Sequence, residues 1–221
     1  MFENFSAMMV ELFVEALWET VIMVGVSGVL GAAFGIPLGV FLRLTDNGGV
    51  LENTPLNAIV GGLVNAARST PFIILLVAII PFTRWVTGTS IGTWAAVVPL
   101  TVAVAPFIAR LVETALREVD AGLIEAAQSM GATTGQIVFK VLLPEAMPGI
   151  VAALTISLVS LTGYSAMAGA VGGGGLGDLG IRYGYQRFLP DVMLAVVVIL
   201  IVFVQIIQSL GDWLVRRISH R

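Results

Sequence analysis

Few side chains in this sequence of 221 residues could carry out covalent or metal chemistry. The chain has no cysteine, which excludes disulfides, thiolate zinc sites and cysteine-held iron–sulfur clusters. Its only histidine is His220, and its only lysine, Lys140, is followed by Val141. A Walker A loop requires Gly-Lys-Ser or Gly-Lys-Thr. We therefore predict that this chain is not an enzyme, uses no cofactor or metal, and does not bind ATP through such a loop.

Residues 172–177 match the dinucleotide-binding pattern G-x-G-x-x-G. That pattern has a meaning only between a strand and a helix of a βαβ unit. Here it ends an uncharged stretch of 32 residues, 146–177, which is long enough to cross a membrane. We interpret the glycines as a flexible or tightly turning extracytoplasmic loop that follows a membrane span.

The composition of the chain indicates a membrane protein. Hydrophobic residues make up 57% and charged residues 11%, whereas soluble domains carry about 25% charged residues. The net charge of −3, with basic residues placed mostly singly, gives no sign of nucleic-acid binding. We predict an all-α integral membrane protein with about five transmembrane helices and short cytoplasmic coupling helices. The predicted spans of this single domain, 1–221, are 18–43, 58–83, 91–116, 146–170 and 191–213, with a cytoplasmic loop at 117–145.

Two features of these spans concern how they pack and bend. Four glycines of the first span are spaced by three and four residues and share one helix face, Gly28, Gly31, Gly35 and Gly39. Small residues let membrane helices approach closely, so this face predicts helix packing. The second span is interrupted by Arg68-Ser-Thr-Pro71. It is either one kinked helix or an interfacial helix followed by a short span that starts near Pro71.

Basic residues in the loops predict the orientation, because cytoplasmic loops are enriched in Lys and Arg. With the N-terminus outside, the cytoplasmic side holds eight basic residues: Arg43, Arg68, Arg110, Arg117, Lys140, Arg216, Arg217 and Arg221. The outside holds three: Arg84, Arg182 and Arg187. The first 20 residues hold Glu3 and further acids but no base, unlike a signal peptide. We expect the first helix to be retained, the N-terminus outside and the C-terminus cytoplasmic.

The longest polar segment, at 110–145, predicts two short helices. Near its start, Glu113 and Arg117 are spaced to form an ion pair as the third span emerges. Capping signals follow: Asp120 as an N-cap, Gly131 after the first C-terminus, a Thr133–Gln136 capping box, and Pro144 at the end of the second helix. Two short helices with a small-residue surface could occupy a groove on a soluble partner.

This segment contains Glu125-Ala126-Ala127, then Gly131, then Val141-Leu-Leu-Pro144. It resembles the EAA loop of the permease subunits of ATP-driven, binding-protein-dependent importers, although those proteins prefer Ile at the position of Val141. The resemblance implies that Glu125, Ala126, Ala127, Gly131 and Pro144 couple the permease to an ATPase subunit. Considered alone, Glu125 would be an ordinary solvated helix residue.

Segments at 68–76, 80–84, 88–92, 105–110 and 163–167 resemble one branch of that family, the permeases of methionine importers. The resemblance implies a bacterial inner-membrane homodimer with two ATP-binding subunits and an extracytoplasmic substrate-binding protein, importing L- and D-methionine. It also implies that Met167 lines the closed pathway, although a lone Met in an apolar helix is usually packing filler. Tyr164 and Ser165 could face the pathway or satisfy each other.

Three alternatives remain at this point. The chain could be an importer permease for another small amino acid, since the loop says nothing about substrate. A secondary transporter or channel would usually show internal repeats and carboxylates well inside its spans, and we find neither. A structural subunit without transport activity would not need the Glu-Ala-Ala loop or the glycine-rich spans.

Overall fold

The computed structural model describes residues 7–219, so Glu3, His220 and Arg221 lie outside the described range. The helices are α1 (Ala7–Thr45), α2 (Thr54–Ser69), α3 (Phe72–Ala78), α4 (Ile80–Thr87), α5 (Thr93–Arg117), α6 (Ala121–Ser129), α7 (Thr134–Ile137), α8 (Leu143–Ala168), α9 (Gly175–Leu179) and α10 (Pro190–Ile218). Three π-helical turns occur at Val138–Leu142, Gly169–Gly173 and Gly180–Tyr185. No strand occurs between residues 7 and 219, and the all-α class is confirmed.

Four described segments are long and apolar enough to cross a membrane: Met9–Thr45, Thr93–Arg117, Thr134–Gly173 and Pro190–Ile218. A fifth span is possible if α2 and α3 count as one, but these two helices are bent by 102°. The break falls at Thr70, which precedes Pro71 and has an extended conformation, with a φ of −80° and a ψ of 122°. The ring of a proline clashes with a helical conformation at the preceding residue, so this span is two helices rather than one kinked helix.

The chain divides into two compact units, and the four long helices contribute residues to both. The first unit comprises the described part of Met1–Val29, together with Pro71–Ala103 and Leu158–Ile207. Its core joins α1, α9 and α10, through Phe13, Ala16, Leu176, Leu179, Val192 and Val196. Leu176 is completely buried, so the short α9 is anchored from both sides.

The second unit comprises Leu30–Thr70, Val104–Ser157 and Gln208–Arg221, of which residues up to 219 are described. Here α1 packs against α5 at backbone contact distance. A Cβ atom on Gly35 would lie 2.7 Å from the carbonyl oxygen of Ala105, and one on Gly39 would lie 2.6 Å from that of Ala109. The prediction that this glycine face mediates helix packing is therefore confirmed.

Candidate functional site

Both ends of α6 are determined by local hydrogen bonds. The carboxylate of Asp120 accepts a hydrogen bond from the N–H of Gly122 at 2.6 Å, so Asp120 is the predicted N-cap. After the helix, Gly131 has a φ of +77° and donates its N–H to the carbonyl of Gln128. That left-handed conformation suits glycine because it lacks a Cβ. The boundaries of α6 follow from these two residues.

The Glu-Ala-Ala residues do not all face the same way. Glu125 and Ala126 are exposed, whereas Ala127 is buried together with Ile124 on the opposite face. An α-helix turns by about 100° per residue, so neighbouring alanines need not share a surface. The outward face of α6 thus presents one carboxylate and one methyl group.

The second short helix continues past the residue that was predicted to end it. Thr133 and Gln136 form the predicted capping box at the start of α7. The chain then passes through the π-helical turn Val138–Leu142 directly into α8, where Pro144 is the second residue. Our prediction that Pro144 ends the helix is wrong. A proline is tolerated in the first turn of a helix because its missing N–H would have no partner there.

A buried charge network lies close in sequence to this segment, at the end of α5. The carboxylate of Glu113, 3% exposed, accepts from Arg110 at 2.6 Å and from Arg117 at 2.7 Å. Arg117 also pairs with Asp46 beyond the end of α1 at 2.8 Å. The pairing of Glu113 with Arg117 was predicted from their spacing.

Arg110 is a residue that sequence reasoning missed. Its guanidinium also donates to the carbonyl of Gly61 and to the side chain of Asn65 in α2, at 2.8 and 3.1 Å. Spacing along one helix carries no information about such a contact. Arg110 therefore ties α5 to α2 within the second unit.

The three predicted pathway residues lie on α8 in the first unit, with different surroundings. Met167 is 48% exposed. Tyr164 is half-buried, and its ring stacks on Phe72 with centroids 4.9 Å apart. Ser165 is buried, and its hydroxyl donates to the carbonyl of Thr162 at 2.8 Å. Of the three, Met167 and Tyr164 present surface that a pathway could use.

The glycine run forms a tightly turned segment in the first unit. Val171 and Gly172 leave the helical conformation, and Gly172, Gly174 and Gly175 all have positive φ values. Glu19 of α1 holds the turn, because its carboxylate accepts from the N–H of Gly175 at 2.6 Å. No sequence signal identified Glu19, since 156 residues separate the two partners.

The neighbouring hydroxyl of α1 contributes a second bond to the same segment. Thr20 accepts from the N–H of Leu176 at 2.9 Å. The N–H groups at the start of a helix have no partner within it. Glu19 and Thr20 supply those partners for α9.

Comparison with known proteins places these features in a family. Residues 35–220 match the family model described as "Binding-protein-dependent transport system inner membrane component". A relative from Vibrio cholerae, named "Probable D-methionine transport system permease protein MetI", is 59% identical over 211 residues, covering 96% of this chain and 94% of its own. The Escherichia coli K12 protein named "D-methionine transport system permease protein MetI" is 57% identical over 164 residues, covering 74% of this chain and 76% of its own.

Solved structures agree with this match. A structure described as an inward-facing conformation of the MetNI methionine ABC transporter is 54% identical and superposes with a TM-score of 0.96, covering 97% of this chain and 100% of that chain. An amino acid ABC transporter crystallised with histidines shares the fold at 22% identity and a TM-score of 0.76, covering 98% and 100% of the two chains. This chain belongs to the family of inner-membrane components of binding-protein-dependent transport systems.

Proposed function

We propose that this chain is the membrane-spanning permease subunit of an ATP-driven importer of methionine, with L- and D-methionine both accepted. Support for the substrate comes from the relatives named as D-methionine permeases, at 59% and 57% identity. No Gly-Lys-Ser or Gly-Lys-Thr occurs in the sequence, so ATP hydrolysis belongs to a separate subunit. The functional complex comprises a homodimer of this chain, two ATP-binding subunits on the cytoplasmic side and an extracytoplasmic binding protein.

The observation that carries the coupling role is the construction of α6. Its ends are determined by Asp120 and Gly131, and its free face presents Glu125 and Ala126. A short rigid helix of this kind suits a groove on a partner protein. Glu125, Ala126 and Gly131 transmit the closure of the ATP-binding subunits. Ala127 anchors the helix from its buried face, and Pro144 lies in the first turn of α8, the span that must move.

The orientation follows from the distribution of basic residues. We propose that the N-terminus is outside and the C-terminus cytoplasmic, as the eight-to-three division of basic residues favours. In that arrangement α6 is cytoplasmic, where ATP-binding subunits can reach it. Single-cysteine labelling from outside the cell at the α6 position Gln128, which is exposed, should fail unless the membrane is permeabilised.

Met167 seals the resting pathway in this proposal. It is a half-exposed apolar side chain in the uncharged part of α8 that follows Glu145, and narrow apolar constrictions gate by excluding water. A residue on the two-fold axis of a homodimer faces its own copy. Tyr164, which is held by its stacking on Phe72, lines the same part of the pathway. Ser165 stabilises the helix from its buried side.

Two Met167 variants test this role. Met167→Cys should cross-link to its mate under mild oxidation, because a disulfide requires Cα atoms within about 7 Å. The parent chain has no cysteine and is the background control. Met167→Ala should assemble normally but leak or accept a broader range of substrates. Absence of any cross-link, together with unchanged selectivity in Met167→Ala, would return Met167 to a packing role.

A further inference from the structure

A cavity of about 160 Å³ lies beside α6 in the second unit. Its walls come from the last turn of α1, residues 48–50 that follow it, α6 and the π-helical turn Val138–Leu142. They include Arg43, Gly49, Ile124, Glu125, Gln128 and Leu142. The volume is sufficient for the end of one side chain from another protein. The two charged residues of the wall, Arg43 and Glu125, have opposite sign.

Arg43 has no polar partner among the described residues. Its Nε atom is buried and makes no hydrogen bond, and the guanidinium takes part in no ion pair between residues 7 and 219. A basic residue in the last turn of a helix gains a little from the helix dipole. That gain does not supply an acceptor for a buried N–H donor, and leaving such a donor unsatisfied is costly.

Glu125 is unpaired as well. Its side chain is exposed, and no ion pair or side-chain hydrogen bond reaches its carboxylate within the described chain. Although Glu125 and Arg43 line the same cavity, no ion pair joins them. The terminal Nη atoms of Arg43, which unlike Nε are not buried, can therefore donate to an acceptor that enters the cavity, and the Glu125 carboxylate can accept from a donor.

We propose that this cavity receives a carboxylate side chain of the ATP-binding subunit, which pairs with Arg43. The inference rests on the proposed docking of that subunit on α6, because the cavity is continuous with the exposed face of that helix. A guanidinium fork matches a carboxylate through two parallel hydrogen bonds. Arg43 is thus a second charged anchor of the coupling interface, set behind Glu125.

The charge of the cavity argues against a phosphate group of a lipid as its occupant. A phosphate brings more negative charge than a carboxylate and is usually bound by several donors. Here Arg43 is the single basic residue of the lining, and Glu125 stands beside it. A single carboxylate matches the charge of Arg43, and a basic side chain of the same partner subunit can pair with Glu125.

Affinity of the ATP-binding subunit for the detergent-solubilised permease tests the proposal. Arg43→Gln removes the charge and should weaken binding about tenfold or more, the usual effect of truncating one partner of a desolvated charge pair. Arg43→Lys keeps the charge without the fork and should weaken binding by less. Arg216→Gln removes an exposed arginine of α10 and should bind like the parent. Monodisperse elution of each variant confirms that it has folded.

The outcomes separate this inference from the proposed function. If Glu125→Ala weakens binding while Arg43→Gln binds like Arg216→Gln, the carboxylate proposal is overturned and the dock on α6 stands. If neither variant changes the affinity, the dock itself is refuted. Restoration of parental affinity by combining Arg43→Glu with Glu125→Arg would also overturn the proposal, since the two residues would then pair with each other. The proposal would also be overturned if Arg43→Gln weakened binding of the ATP-binding subunit only when anionic lipid is added.

Discussion

Replacement of Glu113 by alanine should destabilise the protein far more than loss of the neighbouring acid, Asp46. Glu113 is almost completely buried and accepts from two guanidinium groups, at 2.6 and 2.7 Å. Removing one partner of a buried ion pair costs about 3–5 kcal/mol, since the other charge is left uncompensated. Arg110 retains Gly61 and Asn65, and Arg117 retains Asp46, so we expect the lower end, about 3 kcal/mol.

Asp46 is the matched control because it belongs to the same network. Its pair with Arg117 is more open, with side-chain exposures of 27% and 52%. Exposed pairs contribute about 0–1 kcal/mol, so Asp46→Asn should have little effect. Glu113→Gln keeps the shape of the side chain and should fall between the two, because its amide group can accept from one arginine only.

The assay is the temperature at which half of the detergent-solubilised protein remains monodisperse. For a chain of this size, about 1 kcal/mol corresponds to a shift of about 2–4 °C. Glu113→Ala should therefore lower the midpoint by about 6–12 °C, and Asp46→Asn by at most about 4 °C. Equal midpoints for these two variants would refute the assignment of Glu113 as the centre of the network.

Three further perturbations follow from the described contacts. Gly35→Ala should lower the same midpoint temperature, because its Cβ would lie 2.7 Å from a carbonyl oxygen of α5. Gly25→Ala in the same helix would meet no atom within 4 Å and should leave the midpoint unchanged. Equal midpoints for the two variants would contradict the packing of α1 on α5. Gly131→Ala should reduce coupled ATP hydrolysis, because the φ of +77° at this position is unfavourable for a residue with a Cβ, whereas Gly135→Ala lies in a helix with open space around it and should not. Full activity in both variants would show that position 131 does not require glycine. Glu19→Ala should speed hydrogen exchange of the Gly175 backbone N–H by about 10–100-fold, as measured by mass spectrometry, whereas Glu19→Gln should speed it much less, since the side-chain oxygen of glutamine can still accept the hydrogen bond. An unchanged exchange rate in Glu19→Ala would show that Glu19 does not hold the turn.

Much of the local structure was predictable because its causes are local. The Asp120 cap, the glycine at 131 and the box formed by Thr133 and Gln136 each depend on residues within a few positions of one another. The ion pair of Glu113 with Arg117 depends on helical spacing alone. Residue type and spacing determine such features, so the sequence was sufficient for them.

The remaining features depend on contacts between distant parts of the chain. The bond from Gly175 to Glu19 spans 156 residues, and no pattern within either segment marks it. Pro71 predicts a break in the helix, but nothing in the local sequence predicts its angle of 102°. Pro144 was misread because a proline can either end a helix or begin one, and the π-helical turn before it decides the matter.

Methionine uptake in bacterial cells that lack every other methionine importer tests the central proposal most directly. Labelled methionine should accumulate only when this chain is expressed together with the proposed ATP-binding subunit and binding protein. Glu125→Ala should abolish most of that uptake while the chain remains in the membrane at parental levels. Uptake that is the same without this chain would contradict the proposed function, and so would uptake of another amino acid but not of methionine.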